Sequence, residues 1–256
     1  MGADRLAAVK ETIQGTTLPV LELALDAGES VVAESGELSW IDSNIELATS
    51  TAGAGSHGLF GAIKRAVGGS TLFMTTYTAT SGAGLVAFAA KLPGQILAME
   101  IGEGRSYMCH RHGFLCGTGG VALSTGLQRK LGAGVFGGAG FVLQRVTGQG
   151  KAWFELSGEL VIYELAVGQS LRIHPGHVGL FEETVTIDFA SIPGIRNKLF
   201  GDGLFLAQLT GPGKVWLQSL SISHLAQAIE PYLPQQEGSS GGGIRIGSGG
   251  LSFGNE

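Results

Sequence analysis

Hydrophobic and polar residues alternate in short runs along this chain. The clearest runs are Val20–Leu25, Ser30–Glu34, Leu160–Leu165 and residues 183–187. A period of two places successive side chains on opposite faces, which is typical of half-buried antiparallel strands. Turn-forming residues separate the runs, as at residues 26–29. Strands at this spacing predict an all-β domain of the double-stranded β-helix or β-sandwich-like type.

Helical periodicity is confined to two short segments. Residues 58–67 form one candidate helix and residues 222–233 form another, which Pro234 is expected to end because proline cannot continue a helix. The sequence therefore predicts one or two short helices beside the strands.

The strongest internal signal is a repeat. Residues 138–153 recur as residues 201–216, with four glycines and a leucine, a threonine, a lysine and a tryptophan in register. A looser third copy lies further upstream. Each copy is typical of a strand, a Gly-x-Gly turn and a second strand, so we expect three related Gly-rich hairpin modules, at about residues 68–88, 137–154 and 200–218.

The glycines of these turns are expected to provide positive φ angles or a close approach of the backbone, and the tryptophans to fill the core behind the turn. Turn geometry accounts for each glycine, so none is assigned a catalytic role. The residues given this structural role are Gly69, Gly82, Gly84, Gly138, Gly140, Gly148, Gly150, Trp153, Gly201, Gly203, Gly211, Gly213 and Trp216.

The domain organisation follows from composition along the chain. Residues 1–234 are expected to form a single pseudo-symmetric β domain, and the Gly/Ser-rich residues 235–256 a flexible tail. Two short alternating stretches in that tail, residues 244–246 and 251–253, fit the addition of a strand to the sheet edge of a protein partner.

The overall composition excludes several protein classes. Of 256 residues, 44 are glycine, 14% are charged and 44% are hydrophobic, which is too apolar for a disordered chain. No Gly-X-Y period points to collagen, and no apolar run reaches the roughly 18 residues of a membrane span. The first residues do not resemble a secretory signal, and two cysteines do not make a disulfide framework. These observations predict a cytoplasmic globular protein.

Charge is unevenly distributed along the chain. Residues 1–46 carry nine acids and two bases, whereas residues 47–154 carry two acids and nine bases. The fold could interleave these segments and average the surface charge. Complementary charged faces would instead favour a homo-oligomer, and one basic face would bind RNA or another polyanion. The isoelectric point of about 5.7 makes nucleic acid the less favoured partner.

One cluster of metal-ligand residue types stands out. His110, His112 and Cys116 would share one face of a continuous strand, but an extended chain holds the outer two about 20 Å apart, too far for one ion. They are therefore weak metal candidates, which His174 or His177 would have to complete in a metal-dependent enzyme. Residues 174–177 themselves predict a turn with both histidines at the surface.

Other motifs do not carry chemistry. Two G-x-G-x-x-G stretches, at residues 53–58 and 132–137, lack the acid or the helix that a dinucleotide site needs. Ser56 and His57 lack the strand and the leading glycine of a nucleophile elbow. We therefore predict no catalytic residues and no cofactor.

A family resemblance rests on the repeats. Residues 138–154, residues 201–218, and residues 69–73 together with Pro93 and Gly94 resemble the family named for altered inheritance of mitochondria, a mitochondrial biogenesis family. The similarity covers about residues 13–234, although Ser70 stands where the family pattern favours glutamate.

The resemblance implies a fold like that of the tryptophan RNA-binding attenuation protein, which tends to oligomerise. It also implies a bacterial or archaeal relative of fungal proteins that support inner-membrane organisation, so peripheral membrane contact is a further expectation. It implies no reaction. We expect a non-enzymatic oligomeric scaffold or interaction protein, with polyanion binding through residues 47–154 and a metal-dependent enzyme as the two alternatives.

Overall fold

A computed structural model describes residues 9–51, 72–129, 140–191 and 205–233. These residues form nineteen strands in antiparallel sheets and one α-helix, which confirms the all-β, sandwich-like prediction. Apart from β1 (Lys10–Gln14), the strands fall into three consecutive units of six. No helix in the described ranges is long and apolar enough to cross a membrane.

The first unit divides its strands between two sheets. Each unit contributes two sets of three neighbouring strands, which we call triples. In the first unit, one triple has the order β2-β7-β4, which β1 extends beyond β2, and the other has the order β5-β6-β3. The bounds are β2 Val20–Leu25, β3 Ser30–Glu34, β4 Trp40–Ile41, β5 Ile45–Thr51, β6 Phe73–Ala79 and β7 Gly84–Ala89.

The second unit repeats this arrangement with the orders β8-β13-β10 and β11-β12-β9. The bounds are β8 Gly94–Ile101, β9 Tyr107–His110, β10 Phe114–Thr118, β11 Val121–Arg129, β12 Phe141–Gly148 and β13 Gly150–Ser157.

The third unit repeats it again with the orders β14-β19-β16 and β15-β18-β17, and helix α1 (Ile222–Ile229) follows. The bounds are β14 Leu160–Leu165, β15 Ser170–Ile173, β16 Val178–Glu182, β17 Thr186–Ser191, β18 Phe205–Thr210 and β19 Gly213–Gln218.

Adjacent units share sheets. Strand β3 pairs with β10, with Val32 opposite Gly117, and β9 pairs with β16, with Cys109 opposite Leu180. These two equivalent junctions fuse triples into two six-stranded sheets. Strands β4 and β15 occupy the equivalent positions in the first and last units. Neither has a junction partner among the described strands.

The glycine-rich repeats are corners between sheets and not paired hairpins. Strand β12 pairs with β9 and β11, whereas β13 pairs with β8 and β10. The steps from β6 to β7 and from β18 to β19 cross between sheets in the same way. At the second corner, Gly148 and Gly150 have φ of +100° and +136°, and a Cβ at Gly148 would collide with the Gly120 carbonyl. The tight turn redirects the chain into the opposite layer because only glycine fits there.

The other predicted turn glycines occupy two kinds of position. Gly82, Gly140 and Gly213 also have positive φ, whereas Gly84 and Gly211 lie where a Cβ would meet a neighbouring side chain or carbonyl. Gly69, Gly138, Gly201 and Gly203 lie outside the described residues, as do the candidate helix at 58–67, the loops at 53–58 and 132–137, and the tail.

Three hydrophobic cores fill the spaces between the layers. Trp153 is fully buried in the first core and Trp216 is buried in the second. The third core lies between the triples of the last unit, where Phe181 and Leu209 are buried, and also includes Phe141 and Leu143 of β12. The inner strands of the two six-stranded sheets, such as β10, β13 and β16, are therefore covered on both faces, which explains their high apolar content.

Two predicted elements differ in their bounds. Residues 183–187 are not one strand, because Glu183 and Thr184 form a turn in which the Val185 N–H donates to the Glu182 carbonyl. The helix predicted over 222–233 ends at Ile229 and continues as a 3-10 turn at Glu230–Tyr232, since Pro231 in that turn has no backbone N–H to continue the α-helical hydrogen bonds.

Candidate functional site

Three histidines meet where the third unit joins helix α1. His174 follows β15, His177 ends the 3-10 turn Pro175–His177, and His224 lies in the first turn of α1. Each histidine has one ring nitrogen that could bind an ion, and these three nitrogens all lie within 4.8 Å of one another. The ring centroids are 4.6 Å apart for His174 and His224, 5.4 Å for His177 and His224, and 5.7 Å for His174 and His177. We call this group the histidine cluster.

A tight turn brings the first two histidines together. The His177 N–H donates to the His174 carbonyl at 2.9 Å, which closes the turn. At Gly176 a Cβ would collide with the hydroxyl of Ser221, the buried residue that precedes α1. The missing side chain therefore allows the start of the helix to approach the turn, and this contact places His224 beside the other two rings.

Gln218 holds His177 in a defined orientation. This buried residue ends β19; its amide donates to the Gly176 carbonyl at 3.2 Å and accepts from the Ser157 N–H at 3.0 Å. Its backbone carbonyl lies 2.9 Å from His177 Nδ1. Because a carbonyl can only accept, Nδ1 carries the proton, and in the neutral ring this tautomer leaves the lone pair on Nε2 of His177.

The electrostatics favour a neutral imidazole at His174. Partial burial lowers the pKa of His174 below its ordinary value, and the neighbouring His224 and His177 lower it further. The Gly176 N–H donates to His174 Nδ1 at a long 3.3 Å. Neutral imidazole is the form that coordinates metal ions, so the cluster is chemically suited to binding a cation.

A cavity of about 580 Å³ lies beside the histidine cluster. The 3-10 turn and helix α1 supply part of its wall, and the apolar lining includes Phe141, Val142, Val178, Ile222 and Ala226. This volume and lining are within the range of small-molecule sites.

His110 contributes a polar group to the same cavity. Its Nδ1 accepts from the His112 N–H at 3.3 Å, whereas its Nε2 is buried without a hydrogen-bond partner. Burial lowers the pKa of His110 to about 4, and the neighbouring His112 adds to the shift. The ring therefore remains neutral near pH 7.

The metal candidates suggested by spacing are not brought together. The expected continuous strand is interrupted: His110 ends β9, the Gly113 N–H donates to its carbonyl at 2.8 Å, and Cys116 lies in β10 of a different sheet. Cys116 is packed in the first core, where burial raises the pKa of its thiol. Among the described residues, the only group of three suitable side chains within reach of one ion is the histidine cluster.

The oppositely charged segments are interleaved by the fold. Basic residues of the segment 47–154 form ion pairs with acids of both flanking segments: Lys91 with Glu37 at 2.5 Å, Lys151 with Glu11 at 2.6 Å, and Arg145 with Glu183 at 2.5 Å. Lys64, Arg65 and Lys130 lie outside the described residues. Part of the predicted basic surface is therefore neutralised within the chain.

Strand β14 presents an exposed apolar edge. β19 pairs with one side of it, and no described strand pairs with the other. Val161, Ile162 and Tyr163 are 46%, 57% and 44% exposed. Because side chains alternate along a strand, Val161 and Tyr163 lie on one face and Ile162 on the other.

Sequence reasoning missed His224 as a member of the cluster. It lies 47 positions after His177, on a different element, and no local spacing connects the two. The turn expected at residues 174–177 is present, but its histidines are half-buried against α1. Only the close approach at Gly176 unites the three rings.

Comparisons with known proteins identify relatives over most of the chain. The family described as Mitochondrial biogenesis AIM24 matches residues 11–220. An uncharacterized protein of Streptococcus pyogenes serotype M6 is 30% identical over 221 residues, covering 84% of this chain and 87% of that protein. A crystal structure of a Streptococcus pyogenes protein superposes with a TM-score of 0.70 at 27% identity, covering 88% of this chain and all of that one.

Proposed function

The chain belongs to the Mitochondrial biogenesis AIM24 family, and on that premise we propose that it is a non-enzymatic scaffold that pairs with a second copy of itself through β14. The observation that carries this proposal is the exposed apolar edge of β14. Exposed apolar edge strands are templates for pairing with another chain, and stable monomers usually cover or charge them.

The internal repeat supports an interface at this edge. In the first unit, β2 occupies the position that β14 occupies in the third, and β1 covers its outer side from Lys10 opposite Ala24 to Gln14 opposite Val20. Strand β1 carries Lys10 and Glu11 and ends its sheet with polar groups. Strand β14 ends its sheet with Val161, Ile162 and Tyr163 and has no such cover among the described strands.

A second copy of β14 complements this edge. Antiparallel pairing about a two-fold axis near Ile162 would join two six-stranded sheets into one and satisfy the open backbone groups of both copies. Each Val161 would then face a Tyr163 of the partner. The two Glu164 carboxylates would lie about 13 Å apart along the strands, so pairing does not bring like charges together.

This mode of assembly predicts weak dependence on salt. Backbone hydrogen bonds and apolar contacts form the interface, and several bases that could have formed charged faces are already paired within the chain. Surface charge attraction would instead weaken as ionic strength rises. The dimer would present two copies of each surface that lies outside the interface, which is what a scaffold requires.

The test is the mass of the purified full chain, measured by light scattering at low and high salt. We expect twice the chain mass of 26.3 kDa under both conditions. Ile162→Lys places a charge in the interface and should give a monomer. The matched control is Ile13→Lys, on the exposed edge strand β1, which should remain dimeric.

Other outcomes identify other contacts. A monomeric wild-type chain, or an Ile162→Lys variant that stays dimeric, contradicts the proposal. Larger species that survive Ile162→Lys would indicate assembly through the open junction edges of β4 and β15. A dimer that dissociates when residues 235–256 are deleted would mean that the tail, and not a second β14, occupies the edge.

A further inference from the structure

We propose that His174, His177 and His224 bind one divalent transition-metal ion of the zinc class, which fastens helix α1 to the third unit. The site is independent of the β14 interface. Three imidazoles are a common ligand set for Zn²⁺, and Ni²⁺ and Cu²⁺ favour the same donors.

The distances permit coordination after small side-chain rotations. Zn–N bonds of about 2.0–2.1 Å place tetrahedral ligand nitrogens roughly 3.4 Å apart. The cluster nitrogens lie within 4.8 Å of one another, so the farthest pair would close by up to about 1.4 Å. His224 is exposed on α1 and has room to rotate toward the two rings of the turn.

The surroundings orient one ligand in advance. The Gln218 carbonyl fixes the His177 tautomer with Nε2 available, as backbone carbonyls do for many metal-binding histidines. Coordination by Nδ1 of His174, whose lone pair accepts from the Gly176 N–H, would exchange this long hydrogen bond for a metal bond. That bond is already stretched to 3.3 Å, so the exchange gives up little.

The described residues offer few competing sites. Cys109 and Cys116 are fully buried in hydrophobic cores, where burial raises the pKa of both thiols. His110 is enclosed, and His112 lies outside the cluster. An ion at the cluster would connect residues of β15, the 3-10 turn and α1, and would hold one wall of the adjacent cavity in place.

Calorimetric titration of the untagged full chain with zinc chloride at neutral pH tests the site. We expect one ion per chain, and at least about tenfold weaker binding for His224→Gln and for His177→Gln. The matched control, His112→Gln, should bind like the wild type. Two variants are used because His177 also bonds to Gln218, whereas His224 is exposed and its loss should spare the fold.

Hydrogen exchange gives a readout independent of affinity. Zinc should slow exchange in residues 222–229 of the wild-type chain and not in His224→Gln, because an ion that bridges the turn and α1 restricts opening of the helix. Absence of stoichiometric binding, equal affinity in His224→Gln, or zinc that leaves exchange in the helix unchanged would overturn the proposal.

Discussion

Trp153 and Phe154 are neighbours on strand β13, and each is fully buried in a different hydrophobic core. Successive side chains of a strand point to opposite faces, so this arrangement requires a sheet that is covered on both sides. The sheet that contains β13 lies between the first and second cores. Its position explains why the repeat ends in a tryptophan followed by another large apolar residue.

Substitutions at these two positions should destabilise the fold independently. We expect Trp153→Phe and Phe154→Leu each to lower the free energy of unfolding by about 1–3 kcal/mol, because each loses contacts in its own core. The double variant should show the sum to within about 0.5 kcal/mol. Urea unfolding of the four proteins measures this, and a coupling well above that value would show that the two cores act as one.

Gly148→Ala should destabilise more than Gly28→Ala. Both glycines have positive φ, +100° and +86°, so both variants strain the backbone by about 1–2 kcal/mol. A Cβ at Gly148 would also collide with the Gly120 carbonyl, whereas a Cβ at Gly28 meets nothing within 4 Å. Thermal denaturation compares the two, and equal losses would mean that the corner relaxes freely.

Lys91→Gln should lower the free energy of unfolding more than Arg145→Gln does. Lys91 bonds to Glu37 at 2.5 Å and to Glu155 at 3.3 Å, and both carboxylates are largely buried. Lys91→Gln would leave two enclosed acids without their cation, a cost of about 1–3 kcal/mol. Arg145 and Glu183 form an exposed pair, so Arg145→Gln should cost less than about 1 kcal/mol. Denaturant unfolding at neutral pH measures how much each variant lowers the free energy of unfolding. A larger loss for Arg145→Gln than for Lys91→Gln would contradict the prediction.

His110 should make the fold less stable in mild acid. Burial lowers its pKa from 6.5 to about 4. Between these values the unfolded chain binds a proton that the native state does not, so the free energy of unfolding falls as the pH falls from about 6.5 to 4. The slope from this group is at most about 1.4 kcal/mol per pH unit.

The contribution of His110 can be isolated by difference. Burial raises the pKa of Glu34 and Glu37, and such acids favour the native state at lower pH, which opposes the histidine. Urea unfolding of the wild type and His110→Gln across this pH range separates the contribution of His110 from that of the two acids. The variant should show a shallower loss in acid, and parallel curves would exclude His110 as the source.

Local patterns along the chain determined the elements that depend on local chemistry. The strands Val20–Leu25 and Ser30–Glu34 match their expected bounds because a period of two in apolar side chains requires one buried face. The bounds of Leu160–Leu165 also match, although the middle of that strand is exposed on both faces. The repeated glycines likewise indicate tight turns, since few other residues adopt positive φ.

Tertiary structure decided which strands pair and which side chains meet. The same strand–turn–strand pattern suits a hairpin or a corner between sheets, and only the burial of both faces of β13 selects the corner. The histidine cluster depends on contact between Gly176 and Ser221, residues 45 positions apart that approach only when β19 and α1 pack against the last turn. Side chains brought together by long-range packing leave no local signal in the sequence, because the energy that unites them comes from the cores and not from their spacing.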